Sequence, residues 1–311
     1  MKTEKATDDV GAALLKITEA LPGIIYLRDE PLRNHTSFRI GGPVRAMFFP
    51  DSAGRMIGLL DGLSGENITP LVMGNGTNLL AADSALDIIV INTTGLGSIT
   101  RTGACELSAD AGVPLSALAA RAYELGLAGL EFAHGIPGTV GGAVSMNAGA
   151  YGSEIKDIVI TSEIYDSATG ARALDIAGHE FSYRSSRFSY SGEVALSTVF
   201  RLREGDPEEI KALMDGYAAR RRESQPLEMA SAGSAFKRPA SGYAAELIDR
   251  AGLRGYTAGG AMVSEKHAGF IVNTGEASFS DVMAVIDHVR ETVLRTSGVE
   301  LEPEIRIVHS A

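Results

Sequence analysis

The 311-residue chain has one cysteine, no tryptophan and no apolar run approaching the ~18 residues that cross a bilayer. The lone thiol, Cys105, excludes an intrachain disulfide and a cysteine-based zinc site, and it suits a reducing compartment. Basic residues are scarce too: 28 Lys and Arg against 39 Asp and Glu give a formal charge of −11. That balance disfavours nucleic-acid and membrane partners, since both need a basic surface. The start, Met1 to Val10, alternates charges without an apolar stretch and does not read as a signal peptide. A cytoplasmic monomer is expected. None of the six histidines falls in a metal-binding pattern, so no metal is expected.

Glycine is what the chain has in excess, 36 residues, above the ~7% average and with no collagen period. Its 45% hydrophobic and 22% charged residues are ordinary globular usage. At ~150 residues per domain, the length predicts two or three domains.

Val10, Leu14, Ile17 and Leu21 share one helical face before Pro22-Gly23 stops the helix, which reads as a leader over residues 1–22. Ala46–Phe49, Ser52–Leu63 and Ile88–Asn92 read as strand, helix, strand. Gly103–Gly112 alternates, Pro114–Leu125 has helical spacing, and Gly126 suits a C-cap. Strand candidates follow at 158–164, 170–175, 194–202 and 305–308. Asp206-Pro207 opens one helix, and Ser280-Asp281 another that turns Val282, Val285, Ile286, Val289 and Val293 inward. Domain limits are placed at 23–98, 99–205 and 206–311.

The glycines concentrate in two places. Gly74, Asn75, Gly76, Thr77, Asn78 and Leu79 follow the apolar Leu71–Met73. Glycines there free the backbone to turn N–H groups toward one point, and Asn and Thr add donors suited to a pyrophosphate. A plain strand-to-helix turn explains the same residues equally well. Leu79 at the third glycine position breaks the dinucleotide fingerprint, and no Gly-Lys-Ser/Thr exists for a P-loop. The second cluster holds Gly135, Ile136, Pro137, Gly138, Gly141, Gly142, Asn147 and Gly149, and continues to Gly152 with almost no charge. It reads as backbone packed against a flat ligand, because one tight turn needs fewer such residues.

With these clusters in view, the sequence resembles the UDP-N-acetylenolpyruvoylglucosamine reductase (UDP-N-acetylmuramate dehydrogenase) family from about Leu32 onward. Further motifs carry the resemblance: 34–42 (Asn-His-Thr-Ser-Phe-Arg-Ile-Gly-Gly), 183–188 (Tyr-Arg-Ser-Ser-Arg-Phe), 225–226 (Gln-Pro), 232–239 (Ala-Gly-Ser-Ala-Phe-Lys-Arg-Pro), 263–270 and 301–306. It looks like the family's shorter second class, lacking a tyrosine-bearing insertion. Met229-Ala230 and Ser189 depart from the usual pattern near the substrate entrance.

The resemblance implies an α+β fold: a two-subdomain FAD-binding domain of the vanillyl-alcohol oxidase (PCMH) type, then a C-terminal α/β substrate domain. It implies noncovalent FAD, since the first glycine loop has no histidine, with NADPH as co-substrate and a UDP-sugar as substrate. The implied reaction reduces an enolpyruvyl ether in peptidoglycan precursor synthesis. Such a reaction needs cations or donors at the substrate carboxylate and one acid.

The resemblance implies that Arg184 takes the carboxylate, Ser234 gives the proton and Glu304 supplies a second polar group. Outside its motif, Arg184 would read as a surface ion pair, Ser234 as a turn cap and Glu304 as a partner of Arg306. Arg221, Lys237 and Arg238 are candidates for substrate contacts, and Tyr151 and Tyr183 for the sugar pocket. Other readings are an FAD-dependent alcohol oxidase of the same fold, a serine hydrolase and a non-catalytic binding module. The hydrolase lacks a Gly-x-Ser-x-Gly elbow.

Overall fold

The structure is a computed structural model and describes residues 2–309. The chain divides into two compact units, each assembled from three segments. One takes the chain up to Arg28, Ala46–Gly74 and Ile88–Lys211; the other takes Asp29–Arg45, Asn75–Asp87 and the chain from Ala212 onward.

In the first unit, the opening helix Lys2–Ala20 ends before Pro22 and Gly23, the latter in the left-handed region at φ +78°. Leu14 and Ile17 are buried against Met56, Leu59, Leu60 and Leu63 of the helix Ala53–Gly65. That helix starts at Ser52, whose hydroxyl accepts from Arg55 N–H as an N-cap. Phe48, Ile89 and Ile91 complete this core. A four-stranded sheet has the order Ile25–Pro31, Pro43–Phe49, Leu86–Asn92, Leu71–Met73. The strands read from sequence around 46–49 and 88–92 are neighbours in it. Leu71–Met73, too short for a periodicity signal, joins parallel to Leu86–Asn92.

A five-stranded antiparallel sheet follows, ordered Gly170–Asp175, Val159–Asp166, Val194–Arg201, Glu106–Asp110, Ile99–Gly103. The helix Leu115–Glu124 buries Leu115, Leu118, Ala119 and Ala122, and Gly126 follows it at φ +65°.

The second unit is built on an antiparallel sheet ordered Ala230–Ser234, Phe270–Asn273, Ala261–Val263, Thr257–Ala258. The helix Phe279–Ser297 lays Val282, Val285, Ile286, Val289 and Val293 in a core with Phe38, Leu80, Val263 and Ile271. It begins earlier than the Ser280 expected from sequence. Ser278 is the N-cap, accepting from Asp281 N–H while the Asp281 carboxylate accepts from Ser278 N–H, a reciprocal capping box. Leu79–Ala81 pairs in parallel with Arg306–Val308, tying a segment from the first third of the chain to its end.

No helix among the described residues is long and apolar enough to cross a membrane, and no group of three or more His, Cys, Asp or Glu among them could hold a metal ion.

Two histidines give the fold a pH dependence. Burial pushes His179 and His267 below the ordinary imidazole range. The unfolded chain therefore binds more protons, so stability is full above the ordinary value of ~6.5 and falls as pH drops through it toward the folded values. Carboxylates held low, such as Asp281 by the N–H groups of Ser278 and Gly260, act only in a lower window. The melting temperature is expected to be a few degrees lower at about pH 5.5 than at about pH 7.5. His179→Gln or His267→Gln should narrow that gap; equal melting temperatures at the two pH values would contradict the sign.

Candidate active site

In the first unit the two glycine clusters meet at Gly74. A Cβ there would lie 2.2 Å from Thr139 Oγ1 and 2.8 Å from its Cγ2. Thr139 is buried and β-branched, and its hydroxyl N-caps the helix Val140–Ser145 by accepting from Gly142 N–H at 3.4 Å. It therefore has little freedom to yield. The second cluster is pinned by backbone bonds from Leu115 N to Gly138 O (3.0 Å), Val140 N to Val113 O (2.9 Å) and Gly141 N to Ala111 O (2.8 Å). A Cβ on Gly141 would stand 2.9 Å from Ala111 Cβ.

These contacts add a second reason for the glycines. At Gly74 and Gly141 the absence of a side chain is required by protein atoms, because loop packs on loop. Gly142 differs: it is exposed, and a Cβ there would meet only Thr139 Oγ1, at 3.6 Å. Gly74→Ala is expected to cost about 1–3 kcal/mol as overpacking. Thermal denaturation should show a lowered melting temperature; an unchanged value would refute the clash.

Arg184 sits in a turn closed by Ser182 N to Ser185 O (3.0 Å) and Ser185 N to Ser182 O (3.3 Å), with φ +53°. Its Nη2 donates to Gly149 O at 2.9 Å and its Nη1 to Asn147 O at 3.4 Å, with the guanidinium carbon 5.1 Å from the Tyr183 ring centre. Asn147 is fully buried. Its Nδ2 donates to Ser182 O at 2.9 Å and Glu154 Oε2 at 3.1 Å, and its Oδ1 accepts from Lys156 N–H at 3.0 Å. Residues 147–149 and the turn at 182–185 thus form one assembly around Arg184. Burial raises the Glu154 carboxyl, but Lys156, Asn147 and Arg184 outweigh it and hold that group below the usual carboxylate range. Tyr151, at φ +56°, and Tyr183 both reach solvent.

In the second unit, Ser234 ends its strand opposite Phe270, across an irregularity that includes Gly233 at φ +77°. Ala235 N donates to Gly269 O (2.8 Å), and Ala235 O accepts from Glu304 N (2.9 Å). Lys237 N donates to Glu302 O (2.9 Å), and Phe236 bridges Pro303. Ser234 and Glu304, 70 positions apart in sequence, are thereby carried on paired segments. Asn78 fixes the same place: its Nδ2 donates to Glu304 O at 3.0 Å and its carbonyl accepts from Arg306 N at 2.9 Å.

Lys237 pairs with Glu302 at 2.6 Å, and the Arg238 guanidinium lies 4.2 Å from the Tyr243 ring centre. Arg221 is half-buried near the end of the helix Pro207–Ser224. Sequence reasoning missed Thr139 and Glu154. The signal for Thr139 was its place just before a helix, as an N-cap; nothing local marked Glu154.

The two glycine-rich segments carry no charged side chain, Gly142 leaves an open face, and the buried His134 Nδ1 has no hydrogen-bond partner among the described residues; these features fit a bound flavin nucleotide. Residues 44–173 match the family of FAD binding domains. Fold and site define a flavoprotein oxidoreductase. Residues 225–308 match the UDP-N-acetylenolpyruvoylglucosamine reductase C-terminal domain. The chain is 45% identical over 294 residues to the UDP-N-acetylenolpyruvoylglucosamine reductase of Caldanaerobacter subterraneus subsp. tengcongensis, covering 94% of this chain and 97% of that protein. It is 43% identical over 280 residues to the protein of that name from Clostridioides difficile, covering 90% and 92%. The crystal structure of the Thermus caldophilus UDP-N-acetylenolpyruvylglucosamine reductase aligns with a TM-score of 0.78 at 30% identity, over 92% of this chain and 98% of that one. The chain belongs to the UDP-N-acetylenolpyruvoylglucosamine reductase family.

Proposed function

We propose that the chain reduces UDP-N-acetylglucosamine enolpyruvate to UDP-N-acetylmuramate with NADPH and noncovalent FAD, in the synthesis of peptidoglycan precursors that cell shape and division require. One observation carries this reading: Ser234 and Glu304 lie on paired segments, Glu304 N bonded to Ala235 O at 2.9 Å. Held by the two glycine-rich segments, FAD would supply the hydride chemistry, with NADPH as the source of electrons. The chain's residues hold the negative charge that hydride addition would leave and deliver the proton that completes the reduction.

Arg184 holds the substrate carboxylate. Its anchoring on the carbonyls of Asn147 and Gly149 sets the guanidinium plane in advance, so little orientation remains to be fixed during reaction. Ser234 donates the proton to the carbon beside the carboxylate. A hydroxyl is a weak acid, and it serves here because the developing carbanion is strongly basic. Glu304, held beside Ala235 by backbone, donates a hydrogen bond to the same carboxylate when its own carboxyl is protonated. Arg221, Lys237 and Arg238, with Tyr151 and Tyr183, contact the UDP-sugar. The backbone of residues 74–79, 135–142 and 147–149 holds FAD; the first of these loops, Gly-Asn-Gly-Thr-Asn, offers no histidine for covalent attachment. A reaction fed by NADPH and a nucleotide sugar belongs in the cytoplasm.

The test is an absorbance trace of the purified protein. It should be yellow, lose its flavin band on addition of NADPH and regain it on anaerobic addition of the UDP-enolpyruvyl sugar. Steady-state double-reciprocal plots should be parallel, as for ping-pong kinetics. A flavin that NADPH does not bleach but a small alcohol does would overturn the proposal in favour of an oxidase.

A further inference from the structure

The five-stranded sheet carries a buried polar chain that the proposed reaction does not use. His179 is fully buried, with Nδ1 2.6 Å from Asp175 O and Nε2 2.8 Å from Ser162 Oγ. Ser162 Oγ is in turn 2.8 Å from Thr198 Oγ1. A carbonyl only accepts, so Nδ1 carries the imidazole proton and Nε2 accepts from the Ser162 hydroxyl. The ring is thus fixed at two edges: to Asp175, which ends the strand Gly170–Asp175, and to Ser162 on the neighbouring strand. Burial pushes its pKa down, which keeps it neutral and preserves this arrangement.

Both aromatic residues flanking the Arg184 turn rest on this imidazole. Phe181 stacks on it at 4.9 Å with planes 16° apart, and Phe188 meets it edge-on at 5.9 Å and 70°. Between them lie the turn 182–185 and Arg184 itself, at φ +53°. Ser186 and Arg187 add holds on the same loop, to Ser145 O at 2.8 Å and Gly178 O at 2.9 Å.

We propose that His179 is a positioning residue for Arg184: an imidazole locked to two strands of the sheet, against which both ends of the Tyr183-Arg184 loop are seated. The inference rests on the proposed role of Arg184 at the substrate carboxylate. The ring's shape supplies the seat and its two hydrogen bonds supply the orientation. A phenyl ring at 179 keeps only the first. A glutamine loses the stack but retains an oxygen that accepts from Ser162.

The test is calorimetric titration of the oxidised, FAD-loaded protein with UDP-N-acetylmuramate, which carries the carboxylate, and in parallel with UDP, which does not. His179→Phe is expected to weaken UDP-N-acetylmuramate binding about tenfold while UDP binding stays within about twofold of wild type. His179→Gln should recover part of the loss. Ser162→Ala, which keeps the imidazole and removes one bond, should weaken the acid alone by about threefold, and it serves if His179→Phe fails to fold. The proposal is overturned if the folded variants bind both ligands as wild type does, or lose both equally. Arg184→Ala is the reference: if it binds UDP-N-acetylmuramate normally, the assignment of Arg184 itself has failed. If it binds weakly while the His179 and Ser162 variants bind normally, only the positioning role has failed.

Discussion

Replacing Ser234 by alanine is expected to lower steady-state turnover by about 10²–10⁴-fold, the usual worth of a positioned general acid. NADPH should still reduce the flavin, because that step needs no proton from this side chain. The fold should survive, since the bonds that hold the strand end are made by backbone: Ala235 N to Gly269 O, and Glu304 N to Ala235 O. Gly233, at φ +77° with no atom within 4 Å of its Cβ position, supplies the turn beside Ser234 without help from the hydroxyl. Rapid-mixing measurement of the two half-reactions separates the effects. Flavin reduction near the wild-type rate with a collapsed reoxidation rate is the expected pattern; full turnover in the alanine variant would remove Ser234 from the chemistry.

Arg184→Lys is expected to raise KM for the UDP-enolpyruvyl sugar and lower its reoxidation rate, together by about 10- to 100-fold, as follows from the ~1.5–3 kcal/mol of a hydrogen bond to a charged group. Charge is conserved in this exchange, so any loss reports geometry. Guanidinium is planar and bonds Gly149 O and Asn147 O through two different nitrogens, whereas an ammonium is a single point with no fixed plane. Lysine therefore cannot keep both anchors and present a fork to a carboxylate. Measuring kcat and KM separately for the sugar and for NADPH tests this. Equal damage to both substrates would indicate general disruption of the loop.

Much of the fold could be read in the residues because backbone demands and helical periodicity leave local traces. Asp206 before Pro207 marks a helix start, and Glu208 N–H does bond its carboxylate at 2.9 Å. Val282, Val285, Ile286, Val289 and Val293 repeat at helical spacing and all become core. The glycine clusters were also visible, but the reason for each glycine was not. A sequence shows where a side chain is missing; it does not show whether Thr139, Ala111 or open space lies on the other side.

By itself, the amino-acid sequence determined the family and the FAD-binding character of the domain, since these are properties of motif order and residue type. Tertiary structure alone decided which residues meet. Leu79–Ala81 pairs with Arg306–Val308, and Asn78 bonds the carbonyl of Glu304, across more than two hundred residues. The seating of the Arg184 loop on His179 likewise depends on Ser162, which strand alternation alone marks only as one more residue of its strand. Local patterns record what the backbone needs from its near neighbours. Contacts between distant segments are set by how whole elements pack, and no short stretch of sequence carries that information.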